Sequence, residues 1–519
     1  MRSIRVRIII ICVALVAVGI GAWQLLPTEK GNTGPISVGT TDEVTSLDPA
    51  GAYDAGSWAI YSNVYQSLLT FKPGSTTPVP DAASSCAFTG TSLTSYVCTL
   101  REGLTFSNGR EVTAEDVKFS FDRMLGIGAD VGPAALFPTL KSVTAKDRRV
   151  VFELGAGDAT FPLKLATGAG AIVDRTRYPK DGLREDDKVD GSGPYVLTEY
   201  QPGVSARLEP NPRYQGAISR TGATVVVRYF AESEQLAAAW RGGKVHVTHR
   251  ALPPQLLSTL DPSKEGIQMT EANSAETRSM VFNVRKGSPM AEKAVRRAVA
   301  TLVDRAQLVT GPYHSTVDPL YSLIPRGFIG HSTPFFDTFP EGEDAVERAE
   351  KLLRDADVET PVSFTYAHRS GETWGAEAAE LRRQLEASGL FRMKIVSADW
   401  KDFQKGYSNG DYDAYGLGWL PDFPDSDSFT QPLVGRDNAL QNAYASTRID
   451  RLIAATQQYG DRARAVGDFK EIQSQVAKDV PLVPLWQKKD YVLSTGDIAG
   501  SQYLSDGTGI WRLWQLSWI

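Results

Sequence analysis

Three aspartates follow an apolar run near the C-terminal end of the chain. They are Asp422, Asp425 and Asp427 in LGWLPDFPDSDSF, which spans residues 417–429. The preceding YDAYGLGW, residues 412–419, predicts a short buried strand because it is aromatic, contains glycine and is bounded by turn residues. The carboxylates therefore come where a strand leaves a sheet.

Two interpretations of this aspartate segment stay open from the residues alone. Asp, Pro and Ser are ordinary turn formers, which favours a solvated turn. The alternative is a carboxylate that binds a cationic ligand beside an aromatic wall. A calcium loop is disfavoured because the segment lacks the mid-loop Gly and the distal Glu of an EF-hand.

The chain offers little other chemistry. Among its five histidines, only His246 and His249 of HVTH have a metal-like spacing. Residues three apart on a strand point to opposite faces, and no nearby acid completes a metalloprotease pattern. No nucleophile elbow, phosphate-binding lysine loop or dinucleotide-binding glycine motif stands in a suitable context. The sequence predicts no catalytic residue, no metal and no cofactor.

Composition indicates a globular protein of two or three domains. The chain has 519 residues, of which 42% are hydrophobic and 22% are charged. Its net charge is −6 and it has no long basic run, so we expect no nucleic-acid partner.

The N-terminal residues predict export. Arg2, Arg5 and Arg7 precede the apolar residues 8–26, and a basic flank before an apolar run directs the following chain outward. We interpret residues 1–27 as a signal peptide or a transmembrane anchor, with the anchor favoured because the run is long enough to span a bilayer. Residues 28–35 are polar and predict a short tether.

Two cysteines lie beyond this segment. Cys86 and Cys98 belong to SCAFTGTSLTSYVCTL, residues 85–100, which predicts two short strands joined by a polar loop. Such a hairpin brings both sulfurs within bridging range, and an exported chain permits the disulfide. Two buried free thiols are the alternative.

Strand-like runs alternate with amphipathic helices along the chain, which is typical of an α/β protein. The predicted strands include residues 225–229, 362–366 and 393–396, and the predicted helices are one capped by Thr113, one at 291–309 and one at 375–387. In the second helix, Arg296, Arg297 and Arg305 fall largely off the apolar stripe, which predicts a solvated face.

Several segments together resemble one protein family. SLDPAGAYDAGSWAIYSNVYQSLLTF (46–71) and TLREGLTFSNGREVTAEDVKFSFDR (99–123) are similar to the opening of extracytoplasmic solute-binding proteins of peptide and nickel ABC importers. Pieces within residues 191–214, 281–305 and 412–429 follow in the family's order. The resemblance extends from about Val38 to the C-terminus and points to the dipeptide- and oligopeptide-binding type, family 5.

The resemblance implies the enlarged type II periplasmic-binding-protein fold. This fold has two α/β lobes, linked by hinge strands, with the solute held in the cleft between them. We expect lobe I to comprise residues 36–275, completed by 488–519, and lobe II to comprise residues 276–487.

The resemblance also implies site residues. In peptide-binding relatives an aspartate after the GW dipeptide pairs with the α-ammonium of the ligand, and Asp422 falls on that position. A buried ammonium needs such a charged partner. Asp425 and Asp427 are then expected to shape the turn, and Trp419 to supply an aromatic wall.

Three further ligand-binding residues are expected from the same resemblance. Tyr53 and Asp54 match a family segment that reaches into the cleft from the facing lobe. Arg369 is the candidate partner of a ligand carboxylate, with a surface role as the alternative.

These features predict a solute receptor rather than an enzyme. We expect an extracytoplasmic, membrane-associated monomer that delivers short peptides to ABC permease subunits. A non-peptide solute, such as a nickel chelate or an oligosaccharide, is the alternative ligand. An exported peptide-processing enzyme or sensor is the alternative from another class.

Overall fold

The computed structural model describes residues 34–129, 132–218, 222–250 and 252–519. The predicted signal or anchor at residues 1–27, and residues 28–33 of the predicted tether, lie outside the described residues. Within the described ranges, no helix has both the length and the apolar character needed to cross a membrane.

The strands account for most of the framework of the protein. They are β1 (Ile36–Thr40), β2 (Leu69–Phe71), β3 (Pro78–Pro80), β4 (Ala83–Phe88), β5 (Ser95–Leu100), β6 (Leu140–Lys146), β7 (Arg149–Leu154), β8 (Tyr195–Gln201), β9 (Ser205–Pro210), β10 (Val225–Tyr229), β11 (Val247–His249), β12 (Ile267–Phe282), β13 (Val317–Pro319), β14 (Val362–Arg369), β15 (Phe391–Ala398), β16 (Ala414–Trp419), β17 (Leu482–Thr495), β18 (Ile498–Ala499) and β19 (Ser517–Trp518). The three strand runs predicted from sequence lie within β10, β14 and β15.

The α-helices pack around these strands. They are α1 (Ala55–Val64), α2 (Ala114–Ile127), α3 (Phe161–Leu165), α4 (Ser233–Arg241), α5 (Pro254–Thr259), α6 (Pro262–Glu265), α7 (Lys293–Leu302), α8 (Arg305–Thr310), α9 (Pro334–Thr338), α10 (Ala345–Arg354), α11 (Glu372–Ala387), α12 (Trp400–Asn409), α13 (Asp427–Val434), α14 (Thr447–Thr456) and α15 (Val466–Asp479). Short 3₁₀ turns connect some of them.

One large mixed sheet runs through the molecule in the order β15-β14-β16-β12-β17-β11-β1-β10-β9-β8, with β13 paired to β17. Its two middle strands, β12 and β17, are long and antiparallel, and they pair from Ile267 with Thr495 to Val281 with Leu482. Their register shifts between Asn273 and Thr277. Such an irregularity bends a strand locally.

Two large hydrophobic cores lie on either side of this shift. One is built mainly from residues 36–247 together with residues 492–516. The other is built from residues 275–486. The architecture is therefore α/β with two lobes, as expected from the sequence.

The cysteine hairpin is confirmed. β4 and β5 pair antiparallel in a four-stranded sheet of order β4-β5-β7-β6, and Cys86 lies directly opposite Cys98. Their sulfurs form a disulfide.

The helix predicted after Thr113 is confirmed as α2, with Thr113 as its N-cap. The carboxylate of Asp116 accepts from the backbone N–H of Thr113 at 2.9 Å and from its hydroxyl at 2.7 Å. Thr113 and Asp116 thereby form a reciprocal capping box at the start of the helix. At the other end, Gly128 ends the helix with φ +52°, a conformation that glycine adopts without a Cβ clash.

The single helix predicted at 291–309 is wrong, because the chain breaks it into α7 and α8. The Asp304 side chain accepts from the backbone N–H of Gln307 and caps the second helix. The predicted solvated face is also wrong for Arg296 and Arg305, which are buried. Arg296 Nη1 donates to the carbonyl of Met290 at 2.7 Å, and Arg305 Nε donates to two carbonyls, at 2.9 and 2.7 Å.

Candidate functional site

The aspartate segment leaves the large sheet next to the point where the two cores meet. β16 pairs antiparallel with β12, and its last residue, Trp419, lies opposite Thr277. This position is beside the register shift of β12. The chain that follows β16 therefore emerges between the lobes.

A cavity lies at this junction. It has about 1130 Å³ of empty volume, including the part open to solvent. Trp58, Arg250 and Trp511 line it from the first lobe, Ser274 from β12, and residues 420–422 from the second lobe. Clefts between lobes are the usual location of small-ligand sites.

The aspartate segment also reaches across this junction. Phe423, which follows the cavity-lining residues, is buried in the hydrophobic core of the first lobe. The Lys164 ammonium of α3 lies 5.9 Å from the centre of its ring and is bound to Asp158 at 2.7 Å. The segment thus connects the second lobe to α3 of the first.

Asp422 is partly buried at the cavity wall. Its backbone N–H donates to the Ser428 hydroxyl at 2.8 Å, and its carboxylate accepts from the Tyr53 hydroxyl. Burial raises the pKa of this carboxyl to about 6, even though Tyr53, Lys164 and Ser428 favour the charged form. Within the described part of the chain, no cation forms an ion pair with Asp422.

Asp425 and Asp427 have a different environment. Both are buried, and Arg462 binds them together, with Nε and Nη2 on Asp425 at 2.9 and 2.7 Å and Nη2 on Asp427 at 2.7 Å. The Thr456 hydroxyl donates to Asp427 at 2.6 Å. Burial and the neighbouring Asp425 raise the pKa of Asp427. These contacts agree with the expected role in shaping the turn.

Trp419 and Tyr53 support the Asp422 site from two sides. The indole N–H of Trp419 donates to the backbone carbonyl of Ser428 at 2.7 Å, which fixes the ring against the turn. Tyr53 comes from the facing lobe, and its ring centre lies 5.4 Å from that of Trp58. Burial and the charge of Asp422 raise the pKa of the Tyr53 hydroxyl, so it remains a donor at neutral pH.

Asp54 and Arg369, like Tyr53 and Trp419, are not among the residues that line the cavity. Asp54 is the N-cap of α1, and its carboxylate accepts from the Ser57 backbone N–H at 2.7 Å and from the Ser57 hydroxyl at 2.9 Å. Arg369 is exposed at the end of β14, and its guanidinium lies 5.9 Å from the ring centre of Trp400. The structure therefore brings Asp422 and Tyr53 into contact, whereas the carboxylate of Asp54 is engaged in the helix cap and Arg369 lies at the surface.

The other end of the cavity contains residues that the sequence did not indicate as a ligand site. His249 ends β11, Arg250 directly follows it, and Asp490 lies on the neighbouring β17. The DGTG loop, residues 506–509, also lines this end, and Trp511 follows it. The glycines of that loop are visible in the sequence, but the sequence alone does not show which residues lie opposite the loop.

The model of the bacterial extracellular solute-binding proteins, family 5 (middle region), matches residues 77–441. The chain belongs to this family. Its members are solute-binding proteins rather than enzymes, which confirms the prediction of an extracytoplasmic solute receptor.

Relatives cover nearly the whole of this family 5 protein. The probable D,D-dipeptide-binding periplasmic protein DdpA of Escherichia coli (strain K12) is 26% identical over 481 residues, covering 89% of this chain and 90% of the relative. Di/tripeptide-binding protein 2 of Pseudomonas aeruginosa (strain UCBPP-PA14) is 25% identical, with 81% and 83% covered.

Solved structures share the fold. The periplasmic binding protein DppA of Helicobacter pylori, in complex with the peptide STSA, superposes with a TM-score of 0.79 at 21% identity and covers 94% of this chain and 99% of that one. A dipeptide-binding protein from Pseudoalteromonas sp. SM9913, in complex with Met-Leu, has a TM-score of 0.80 at 19% identity, with 94% and 100% covered. The two-lobe periplasmic-binding-protein fold is confirmed.

Proposed function

We propose that this family 5 protein captures short peptides in the interlobe cavity and delivers them to the permease subunits of an ABC importer. The observation that carries the proposal is Asp422, a partly buried carboxylate at the cavity wall that forms no ion pair within the described residues. Its raised pKa shows that the fold keeps the charged form in an unfavourable environment. A ligand cation would relieve that cost.

A peptide α-ammonium is the cation that fits this wall. It would bind the Asp422 carboxylate by a charge-assisted hydrogen bond, and Tyr53 would hold the carboxylate from the other lobe. Trp419 would keep the turn in place through its bond to Ser428. The names of the relatives, which include dipeptide- and di/tripeptide-binding proteins, support the same ligand class.

Of the remaining predicted contacts, Asp54 and Arg369 receive less support from their surroundings. The carboxylate of Asp54 is engaged by the first turn of α1. The guanidinium of Arg369 lies near an aromatic ring at the surface. We therefore assign the ligand to Asp422, Tyr53 and Trp419 first.

We also propose that the lobes close about the middle of β12 and β17. The proposed boundaries are residues 36–275 with 488–519 for lobe I and 276–487 for lobe II. The register shift between Asn273 and Thr277 supports a hinge there, because local irregularity lets a pair of strands bend. A ligand favours the closed state only through contacts to both lobes, and Asp422 with Tyr53 would provide them.

The N-terminal segment and the oligomeric state complete the proposal. The basic and apolar residues 1–27 support membrane attachment or cleavage after export. We propose a monomer, because one chain supplies both walls of the cavity.

Binding without turnover tests the function. The full chain, purified in mild detergent, is incubated with a mixed library of two- to five-residue peptides. We expect mass spectrometry to find peptides that are retained and unchanged. Hydrolysed peptides would contradict the receptor, and selective retention of a non-peptide solute from cell extract would replace the peptide assignment.

A further inference from the structure

Arg250 occupies an unusual position at the end of the cavity that His249, Asp490 and residues 506–509 also line. It directly follows β11 with φ +59°, a left-handed conformation that a non-glycine residue rarely adopts. Its side chain is 15% exposed and lines the cavity. Strained residues of this kind persist where the surrounding structure holds them, and they cluster at ligand sites.

The guanidinium of Arg250 lacks adequate acceptors among the described residues. It has five N–H donors, yet its buried Nε has no hydrogen-bond partner there. The ion pair with Asp42 is long, because 3.7 Å separates Nη1 from Oδ1. Hydrogen bonds of this kind are normally shorter than about 3.2 Å.

A second donor without a partner lines the same end of the cavity. Trp511 is 3% exposed, and its indole Nε1 has no hydrogen-bond partner among the described residues. Its ring lies 5.2 Å from that of His249, whose Nδ1 is likewise without a partner in the described part. Burial and the neighbouring Arg250 lower the pKa of His249 to about 4, so it is neutral at pH 7.

Nearby acids keep Arg250 charged without binding it closely. Burial alone would lower the pKa of Arg250, but Asp42, Asp490 and Glu276 raise it overall. The Oδ2 atom of Asp490 accepts from the Ser505 hydroxyl at 2.7 Å, whereas its Oδ1 atom lies 3.7 Å from the Lys488 ammonium and has no hydrogen-bond partner among the described residues.

We infer that Arg250, together with the indole N–H of Trp511, forms a subsite for a carboxylate of the bound peptide. The inference rests on the proposed function, because it takes a peptide held at Asp422 as its starting point. A planar carboxylate accepts two parallel hydrogen bonds from a guanidinium, which Asp42 does not do at its distance. Asp422 and Arg250 line one cavity, so the preferred ligand is short and carries charge at both ends.

Asp42 competes with this ligand. Arg250 and Lys488 face three acids, Asp42, Glu276 and Asp490, so the cluster carries one net negative charge. A ligand carboxylate therefore binds against the repulsion of Asp42. Removing that charge in Asp42→Asn should strengthen the binding of a free-acid peptide.

The test uses alanine peptides of two to four residues, as free acids and as C-terminal amides, with the full chain in mild detergent. With the unmodified protein, we expect amidation to weaken binding by about tenfold to a hundredfold, the effect of losing a charged hydrogen-bond partner. Arg250→Gln should weaken the free acid similarly and leave the amide unchanged. Arg382→Gln, at an exposed position of α11 that does not line the cavity, is the matched control and should leave both unchanged.

A further arm separates the two sources of a carboxylate. An amidated peptide with one glutamate should bind as poorly as the amidated alanine peptide if the subsite takes the C-terminus. If the glutamate restores affinity, the subsite binds an acidic side chain of the peptide. This result still supports a carboxylate subsite.

Other results overturn the inference. Equal binding of acid and amide by the unmodified protein contradicts the carboxylate subsite, and this comparison needs no variant to fold. Equal weakening of the free acid and the amide by Arg250→Gln would also contradict the carboxylate subsite. If peptides bind through Asp422 but ignore amidation, only the subsite fails. If no peptide binds at any length, the proposed function fails and the subsite fails with it.

Discussion

The two faces of the aspartate segment contrast sharply. On the cavity face, Asp422 meets a tyrosine hydroxyl and no ion-pair partner within the described chain. On the buried face, Asp425 and Asp427 share the guanidinium of Arg462 at 2.7 Å each. All three residues are aspartates and lie close together in the sequence, yet the groups that bind their carboxylates differ.

The role of each carboxylate therefore depends on the group that compensates its negative charge. Arg462 compensates the charges of Asp425 and Asp427 inside the protein. These two residues therefore hold the turn and need no ligand. Asp422 has hydrogen bonds but no ion-pair partner within the described chain, and it lies next to a cavity. A buried charge without a partner is costly, and proteins retain it where a ligand or reaction uses it.

Removal of Arg462 should give the largest effect on stability. Arg462→Ala leaves two buried carboxylates without their cation, which typically costs about 3–5 kcal/mol. Denaturant unfolding should show this loss. Arg464→Ala, an exposed neighbour in the same segment, is the control and should change stability by less than about 0.5 kcal/mol.

The cavity face should respond in the opposite way. The raised pKa of Asp422 means that its charged form disfavours folding at neutral pH, so Asp422→Asn should not lower stability. A large loss of stability in Asp422→Asn, or a negligible one in Arg462→Ala, would remove the contrast between the two faces.

The disulfide provides a test at a position that belongs to neither face. Opening a loop of 12 residues by replacing Cys86 and Cys98 with serine should cost about 3 kcal/mol of stability. Neither cysteine is among the residues that line the cavity, so peptide affinity at a temperature where the variant is folded should not change. A selective loss of affinity would place the hairpin in the site.

The pH dependence of binding should separate Asp422 from Asp427. The pKa of Asp422 is about 6 in the free protein, so its carboxylate is progressively protonated as the pH falls below 6. The α-ammonium stays charged there, and affinity should therefore fall towards tenfold per pH unit between about pH 6 and pH 5. Calorimetry of a free-amine peptide measures this slope.

Asp422→Asn is the control for that slope. It should flatten the pH dependence, because the titrating group is gone while Asp425, Asp427 and Arg462 remain. A slope that persists in the variant would assign the titration to the buried pair instead.

The smallest effect is expected at Asp54. Loss of an N-cap costs about 1 kcal/mol, so Asp54→Ala should lower stability by that amount through α1. Asp54→Asn keeps most of the cap and should recover most of the loss. A change in peptide affinity with both variants, at unchanged stability, would return Asp54 to the ligand site.

Much of this fold follows from local pattern. The strand at 225–229 alternates buried and partly exposed residues, and the cysteine hairpin carries its own turn signals, so both were predictable. The break at Asp304 was not, because an N-cap inside an apolar pattern is decided by where the next helix packs. Arg296 and Arg305 were misread for a related reason: long side chains reach carbonyls of distant strands and loops.

The site was predictable only in part. Asp422 follows from its place after a buried strand and from the family pattern. Arg462 lies more than thirty residues farther along the chain in no recognisable motif, so its pairing with Asp425 depends on packing. Arg250 and Trp511 line one cavity although they are distant in the sequence, and local sequence does not encode such a placement.

The most direct test of the central claim is the affinity of Asp422→Asn for one peptide in free-amine and N-acetylated forms, measured by calorimetry at pH 7. We expect the substitution to cost the free-amine peptide about 2–5 kcal/mol, roughly thirtyfold to several-thousandfold in Kd. The acetylated peptide should already bind poorly to the unmodified protein, and the substitution should change it little. If Asp422→Asn binds the free-amine peptide as tightly as the unmodified protein does, Asp422 is not the ammonium site, and a non-peptide solute becomes the better assignment.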